Sequence, residues 1–172
     1  MIALIGASAC ATTGAVPQPF PTPGSSTRTA PKPAPEPAPA PAAVDAYAIS
    51  GTALALRGAP YRNGGSDPAG FDCSGFVWYV FGQNGISVPR TVSDLDRAGT
   101  HVDRADVRAG DLVFFDTLRD PQDPNGRTAS HVGISIGGDE FVHAPSSTGE
   151  VRVERLSAAY WATRFLGARR VL

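Results

Sequence analysis

The sequence predicts an α+β fold in which helices precede an antiparallel sheet of about five to six strands. Two observations support it. Apolar residues recur at helical spacing between about residues 44 and 98, and after residue 110 they form short runs or alternate with polar residues. Because helical and strand segments are segregated along the chain, an α+β arrangement is favoured over repeated βαβ units.

Composition places one domain at the C-terminal end of the 172 residues. Ten of the 16 prolines lie between Pro17 and Pro41, so residues 44–172 have an ordinary composition and are long enough to bury a single core. The net charge is −1 and the arginines are scattered, which gives no indication of nucleic-acid binding. We expect a monomer.

Residues 1–10 resemble the end of a bacterial lipoprotein signal peptide, with Cys10 as the residue that is lipidated after cleavage. Ala7 stands where such motifs usually have leucine, and no basic residue precedes the apolar run. The alternative is an ordinary apolar N-terminus with a chance cysteine. The first interpretation predicts export to the periplasm and an anchor in the outer membrane; secretion or association with the cell wall is the alternative location.

Residues 11–43 are rich in proline and alanine, and we expect a disordered linker. Its Pro31–Pro41 run favours extended polyproline II structure, which acts as a semi-rigid spacer. The segment is interpreted as a spacer between an anchor and the domain. A passive linker or a proline-rich ligand remains an alternative.

Three helices are predicted in the first half of the domain. The first runs from Val44 to about Arg57 and ends before Pro60; the second runs from Cys73 to about Gln83; and a short third helix spans Val92–Ala98 with Thr91 as its N-cap. The residues before Gly70 have loop composition.

Cys73 lies in the first turn of the second helix, where the helix dipole favours negative charge. We therefore expect a thiol of lowered pKa and a cysteine nucleophile. A disulfide with Cys10 is disfavoured, because Cys10 adjoins the predicted linker.

The second half supplies the strands. Predicted strand segments are Leu112–Phe115, His131–Ile136, Glu140–Ala144, Val151–Val153 and Arg164–Ala168, with a turn at Gly137–Asp139 and a short helical piece at Ser157–Trp161.

Two histidines lie in the predicted hairpin. Val132, Ile134 and Ile136 share one face of their strand, so His131 is expected to point to the other face and to meet the helix that carries Cys73. His143 lies on the returning strand, where it would orient His131. From the residues alone three alternatives stay open: a buried structural cysteine, surface histidines, and a zinc site formed by these three side chains.

Six motifs occur in order and together resemble the NlpC/P60 family of bacterial cell-wall cysteine peptidases over about Ala48 to Val171. They are Tyr61-Arg62-Asn63-Gly64-Gly65, Phe71-Asp72-Cys73-Ser74-Gly75-Phe76, Pro89-Arg90-Thr91, Ala109-Gly110-Asp111-Leu112-Val113-Phe114-Phe115, Ser130-His131-Val132-Gly133-Ile134 and Phe141-Val142-His143-Ala144-Pro145. The resemblance implies a papain-like fold and cleavage of peptidoglycan stem peptides, commonly between γ-D-glutamate and a diamino acid. It implies no metal or organic cofactor. An amidase or transpeptidase on wall peptides, and a non-catalytic wall-binding module, are the alternatives.

The resemblance also assigns roles to individual residues. Cys73 matches the nucleophile, His131 the base and His143 the third polar residue of the catalytic group. The oxyanion or substrate side is matched by Tyr61, Asp72, Ser74 and Arg90. Asp72 corresponds to an aspartate that in some members pairs with the free amine of the stem peptide; as an N-cap of the Cys73 helix it would be structural.

One segment departs from the family pattern. Residues 116–129 are longer than the usual link between two of the strands and end next to His131, so we expect them to overhang the active site. Asp111 is interpreted as a structural turn residue and His101 as a surface residue.

Overall fold

Six antiparallel strands form one sheet at the centre of the domain. The structure is a computed structural model and describes residues 46–118 and 128–172. Cys10, the predicted linker and most of the predicted loop after Asp116 lie outside the described residues. The described strands of this sheet follow the order β3-β8-β4-β5-β6-β7. Their bounds are β3 (Thr100–Val102), β4 (Leu112–Phe115), β5 (His131–Gly137), β6 (Glu140–His143), β7 (Arg152–Arg155) and β8 (Phe165–Arg170).

Two helices cover one face of this sheet. They are α1 (Ala46–Ala55) and α2 (Cys73–Gln83), and the shorter helices are α3 (Val92–Leu95) and α4 (Ala159–Ala162). A buried apolar core joins α1 and α2 to the sheet; it includes Ile49, Phe76, Val80, Phe114, Val132, Ile134 and Val142. The α+β prediction, with a nucleophile helix packed on an antiparallel sheet, is confirmed.

A second core occupies the opposite face of the sheet. Its buried members are Val102, Val113, Phe115, Phe141, Leu156, Trp161 and Ala168. Because side chains alternate along a strand, β4 supplies Leu112 and Phe114 to one core and Val113 and Phe115 to the other.

The segment before Cys73 was predicted to be a loop, but it also contains two short strands. Ser66–Asp67 (β1) pairs with Gly70–Phe71 (β2) as a two-stranded antiparallel ribbon. The turn between the two short strands is fixed by the Ala69 N–H, which donates to Asp67 Oδ1 at 2.8 Å. The ribbon leads directly into α2.

Strand β3 was not predicted. It has only three residues, two of them exposed, and so shows no alternation of apolar and polar residues in the sequence. It pairs with β8, and His101, the predicted surface residue, lies exposed in it. Within the described residues, no helix is long and apolar enough to cross a membrane.

Candidate active site

Helix α2 begins at Cys73, the residue predicted to be the nucleophile. Asp72 is its N-cap, as one of the two sequence interpretations expected: the Gly75 N–H donates to Asp72 Oδ1 at 2.7 Å. An N-cap of this kind satisfies one of the unpaired N–H groups of the first helical turn. The cap therefore fixes the position of Cys73 where the helix starts.

Arg90 lies against this N-cap. Its guanidinium donates to both oxygens of Asp72, at 3.0 and 2.8 Å, and also to the Ser74 hydroxyl at 2.8 Å. A further hydrogen bond of 3.1 Å runs to the Gly65 carbonyl, which also accepts the Asp72 N–H at 3.0 Å. Arg90 thus ties the loop before the ribbon to the first turn of α2.

The charge of Asp72 is stabilised by this arrangement. Burial acts to raise the pKa of the carboxyl, but the hydrogen bonds from Arg90 and from the Gly75 N–H outweigh it and hold the pKa below its usual range. Asp72 is therefore an anion already matched by a bidentate guanidinium.

The expectation of an acidic thiol at Cys73 was wrong. Burial, followed by the neighbouring negative charge of Asp72, raises the pKa of the Cys73 thiol. Hydrogen bonds from the backbone N–H groups of Val132, Ser74 and Cys73 act in the opposite direction but do not outweigh burial. Cys73 is a free, partly exposed thiol.

The hydrogen bond between Val132 and the thiol places Cys73 at the beginning of strand β5, next to His131. His131 is 8% exposed and His143 is fully buried. His131 Nε2 lies 2.7 Å from His143 Nδ1, so the two predicted histidines form a direct pair.

His131 lies on the face opposite Val132 and Ile134, as predicted, but the helices do not cover that face as expected. Val132 and Ile134 face α1 and α2, whereas His131 and His143 lie on the opposite face, among Phe115, Phe141 and Trp161. The histidines therefore do not meet α2 across the sheet. The Cys73 thiol instead lies at the end of β5, where the strand begins.

Both histidines are neutral in this environment. Burial lowers the pKa of His131 to about 4, and burial together with the nearby His131 and Arg152 also lowers the pKa of His143 well below its ordinary range. With a thiol of raised pKa beside it, the resting state at neutral pH is a thiol and an imidazole rather than a thiolate and an imidazolium.

Tyr61 lies beside the nucleophile. Burial raises the pKa of its phenol, and the negative charges of Asp72 and of Cys73 in its thiolate form act in the same direction, so the hydroxyl stays protonated and able to donate. Its backbone is fixed by a hydrogen bond of 2.7 Å from the Tyr61 N–H to the Gly149 carbonyl.

A cleft of about 150 Å³ opens beside His131. It is lined by Thr117, Leu118, His131, Pro145, Ser146, Ser147, Tyr160 and Trp161. Thr117 and Leu118 belong to the segment 116–129 that was expected to overhang the site; residues 119–127 lie outside the described part.

The described residues offer no donor set for the zinc alternative. Among residues 46–118 and 128–172, no three His, Cys, Asp or Glu side chains are grouped so that they could hold a metal ion. His131 Nε2 and His143 Nδ1 face each other within hydrogen-bond distance, so these two nitrogens are occupied by one another.

Trp161 was not predicted as a site residue, although its ring contacts both histidines. The sequence carries only a weak signal for it, an aromatic pair Tyr160-Trp161 in a short helical segment. Asp111, by contrast, is structural as expected: it accepts two hydrogen bonds from Arg170 at 2.8 and 2.7 Å.

Comparison with known proteins agrees with this geometry. A profile of the NlpC/P60 family matches residues 58–170. The chain is 41% identical over 120 residues to the murein DD-endopeptidase MepH of Escherichia coli (strain K12). The matched region covers 67% of this chain and 42% of that protein. It is 34% identical over 119 residues to a gamma-D-glutamyl-L-lysine dipeptidyl-peptidase of Bacillus subtilis (strain 168), covering 69% of this chain and 38% of that protein.

Solved structures show the same fold. An NlpC/P60 family protein from Bacillus cereus ATCC 10987 superimposes with a TM-score of 0.68 at 31% identity, over 74% of this chain and 40% of that chain. The chain thus spans less than half the length of each of these three proteins. The fold implied by the sequence motifs is confirmed.

Proposed function

Because the chain belongs to the NlpC/P60 family, we propose that it is a peptidoglycan hydrolase, a cysteine endopeptidase that cleaves amide bonds in the stem peptides of the bacterial cell wall. The observation that carries the proposal is the site itself. Cys73 starts a capped helix at the end of the strand that holds His131, and His131 is hydrogen-bonded to His143 at 2.7 Å. Nucleophile, base and orienting group are the three parts of an acyl-transfer site.

The reaction begins from a neutral pair. The Cys73 sulfur attacks the amide carbonyl while its proton passes to His131, because neither group is charged beforehand. Backbone N–H groups at the start of α2 and the protonated Tyr61 hydroxyl stabilise the oxyanion.

The second half of the reaction restores the enzyme. His131 gives its proton to the leaving amine as the C–N bond breaks and a thioester forms on Cys73. His131 then takes a proton from water, whose oxygen attacks the thioester, and the carboxylic acid product leaves with the thiol regenerated.

The cleaved bond distinguishes two candidate activities. The family resemblance implies cleavage between γ-D-glutamate and a diamino acid. The Bacillus subtilis relative is named a gamma-D-glutamyl-L-lysine dipeptidyl-peptidase, whereas the Escherichia coli relative is named a DD-endopeptidase. A dipeptidyl-peptidase acts at a free N-terminus and has to accommodate its ammonium group, which requires an available anion.

The ion pair beside the nucleophile bears on recognition of a free amine, whichever bond is cut. Asp72, the carboxylate adjacent to Cys73, is paired with Arg90 through two hydrogen bonds, so an incoming ammonium would compete with that guanidinium for the same charge. An endopeptidase that cleaves within wall peptides, without reading a free amine, is therefore the candidate that this site supports better.

Digestion of purified muropeptides decides between these activities. Mass spectrometry of the new termini identifies the bond, and would equally reveal an amidase that cuts the sugar–peptide link or a transpeptidase that joins two stems. Cys73→Ala is the matched control, since it should abolish cleavage and retain binding. Wild-type protein that binds but cleaves no muropeptide would establish a wall-binding module instead.

The location belongs to the same proposal. The chain acts outside the cytoplasm, anchored to the outer membrane through a lipid on Cys10, with residues 11–43 as a spacer that lets a monomeric domain reach the wall. Partition of the wild-type protein into detergent, and its loss in Cys10→Ser, tests the anchor.

A further inference from the structure

Within the described residues, one aromatic ring contacts both histidines of the site. The indole of Trp161 stacks on the His131 ring at 5.7 Å between centroids with an interplanar angle of 25°, and it meets the His143 ring edge to face at 4.9 Å and 87°. Phe115 contacts only His131 of the pair, and Phe141 only His143. Trp161 is 5% exposed, so these contacts are shielded from water.

The indole is fixed in place by a carboxylate. The Trp161 indole N–H donates a hydrogen bond to Glu154 on strand β7, and Glu154 in turn lies 3.3 Å from Arg152 Nε. Helix α4 has only four residues and its N-cap, Ala158, makes no side-chain cap. The ring is therefore held by Glu154 and by its aromatic neighbours rather than by the helix alone.

His131 needs such support because its ring is free to rotate in principle. The torsion between Cβ and the imidazole has broad preferences, and a half-turn would exchange ring nitrogens for ring carbons at both of its working positions. One position is the 2.7 Å hydrogen bond to His143, and the other is the proton transfer with Cys73. A flat ring stacked on one side of the imidazole limits this rotation.

The stacked Trp161 ring also stabilises positive charge on His131. His131 becomes an imidazolium when it takes the proton of Cys73, and a cation over the face of tryptophan within about 6 Å is stabilised by the ring's electrons. Neutral imidazole gains much less from the same face. The contact is therefore stronger after proton transfer than before it, which is the condition for lowering a barrier.

We propose that Trp161 is a positioning residue of the proposed hydrolase: its indole, anchored on Glu154, fixes the ring of His131 and stabilises the imidazolium that forms when Cys73 is deprotonated. The inference rests on the proposed function for its consequence in turnover, but the effect on Cys73 is measurable without any wall substrate.

The experiment compares Trp161→Leu, Trp161→Phe and Leu156→Ala in the full chain. Leu156 belongs to the same buried core as Trp161 and has no ring contact with either histidine, so its truncation is a control for general destabilisation. Two quantities are measured at neutral pH: the rate of Cys73 alkylation by iodoacetamide, followed on the Cys73 peptide by mass spectrometry so that Cys10 does not interfere, and kcat and KM on a muropeptide.

In Trp161→Leu, alkylation and kcat should both fall about 2- to 30-fold, the rate equivalent of a cation–π contact, with little change in KM. Trp161→Phe keeps an aromatic face and should recover most of both rates, and Leu156→Ala should leave both near wild type. The proposal is overturned if folded Trp161→Leu alkylates at the wild-type rate, or if Leu156→Ala slows alkylation equally.

A second variant covers a failure to fold. Glu154→Ala removes the acceptor of the indole N–H from a partly exposed position. It should slow alkylation of Cys73 by about threefold, which is less than the effect of losing the ring. An unchanged rate contradicts the anchoring by Glu154. If wild-type protein cleaves no muropeptide but the alkylation rates follow the expected order, the proposed function fails and the role of Trp161 stands.

Discussion

His131 Nε2 lies 2.7 Å from His143 Nδ1, and the two rings meet edge to face at 84°. Only one proton fits between these two nitrogens, so its ownership decides which nitrogen of His131 serves as the base. When His131 donates to His143, its Nδ1 is unprotonated and is the nitrogen left to accept the proton of Cys73. In the proposed hydrolase, His143 would therefore select the tautomer of His131 as well as orient it.

Substitution of His143 tests this role. His143→Ala removes the acceptor for the Nε2 proton of His131 and should lower kcat by on the order of 10²-fold, with little change in KM. In His143→Asn the side-chain oxygen occupies a position similar to Nδ1 and should restore part of the rate. Steady-state kinetics on a muropeptide measures both, and equal losses in the two variants would contradict selection of the tautomer.

The pH profile of the enzyme follows from the neutral resting pair. His131 has to be unprotonated to accept a proton, and burial lowers its pKa to about 4, so kcat/KM should begin to fall only well below pH 6. Burial raises the pKa of Cys73, so little free thiolate forms at neutral pH and alkylation by iodoacetamide should proceed through proton transfer to His131. Its rate should likewise fall only as His131 becomes protonated, well below pH 6.

The opposite charge state is tested on the thiol itself. A preformed thiolate–imidazolium pair would give the ultraviolet absorbance of a thiolate at neutral pH, whereas the neutral pair should give none. Cys73→Ala supplies the baseline, including any contribution from Cys10.

The buried histidines also link stability to pH. Their pKa values are lower in the folded protein than the usual value of about 6.5 in the unfolded chain, so the unfolded chain binds more protons between about pH 4 and pH 6.5. The free energy of unfolding should therefore be highest above pH 6.5 and decrease as the pH falls towards 4.

Urea unfolding at pH 7 and pH 5 measures this decrease. His143→Leu should lose less unfolding free energy between the two pH values than the wild type does. His101→Gln, at an exposed histidine on strand β3, should behave like the wild type. If His143→Leu and wild type show the same dependence, the buried pair is not its source.

Because Arg90 is paired with Asp72, we expect kcat/KM to depend little on whether the N-terminal amine of the substrate is free. Acetylation of that amine on a stem peptide should change kcat/KM of the wild type by less than about threefold, because no unpaired carboxylate next to Cys73 awaits an ammonium. In Arg90→Leu the Asp72 carboxylate loses its partner, and the free-amine peptide should then be preferred over the acetylated one.

Mass-spectrometric rates on the two peptides provide the measurement. If the wild type cleaves the free-amine peptide much faster than the acetylated one, the dipeptidyl-peptidase activity is supported instead. Arg90→Lys, which keeps the charge but not the bidentate geometry, is the matched control and should remain close to the wild type in its preference.

Local signals in the sequence predicted much of the helix that carries the nucleophile. The apolar spacing after Cys73 and the position of Asp72 gave its start and its cap, and both are confirmed. Thr91 was likewise predicted as the N-cap of α3, and it accepts the Asp94 N–H at 3.2 Å. Such features are local because the interacting residues are within four positions of each other.

Long-range relationships could not be predicted in the same way. Alternation along β5 shows which residues share a face, but not which face the helices cover. His131 lies opposite Val132 and Ile134, as predicted, but the helices cover the Val132 face, so the predicted meeting with α2 on the His131 face was wrong. Arg90 lies 18 positions from Asp72, and its motif gives no sign of that partner. Trp161 is an ordinary core residue in sequence, and only the packing of α4 brings it onto the histidines.

Two glycines on helix α2 should respond in opposite ways to alanine. A Cβ at Gly75 would lie well inside van der Waals contact of the Gly65 carbonyl oxygen and close to the Arg90 guanidinium, so the loop that receives Arg90 and Asp72 would have to move. A Cβ at Gly82 meets no atom within 4 Å. Both residues have helical neighbours, so helix propensity alone favours alanine at each by about 0.5–1 kcal/mol.

Gly82→Ala should therefore raise the free energy of unfolding by about 0.5–1 kcal/mol and leave cleavage unchanged. Gly75→Ala should lower the free energy of unfolding by about 1–3 kcal/mol, as overpacking usually does, and should also lower kcat, because the displaced loop carries the acceptor of both the Asp72 N–H and Arg90. Urea unfolding and muropeptide kinetics on the two variants measure this contrast. Gly75→Ala with wild-type stability and turnover would mean that the close approach of this loop to α2 does not hold Cys73 in place.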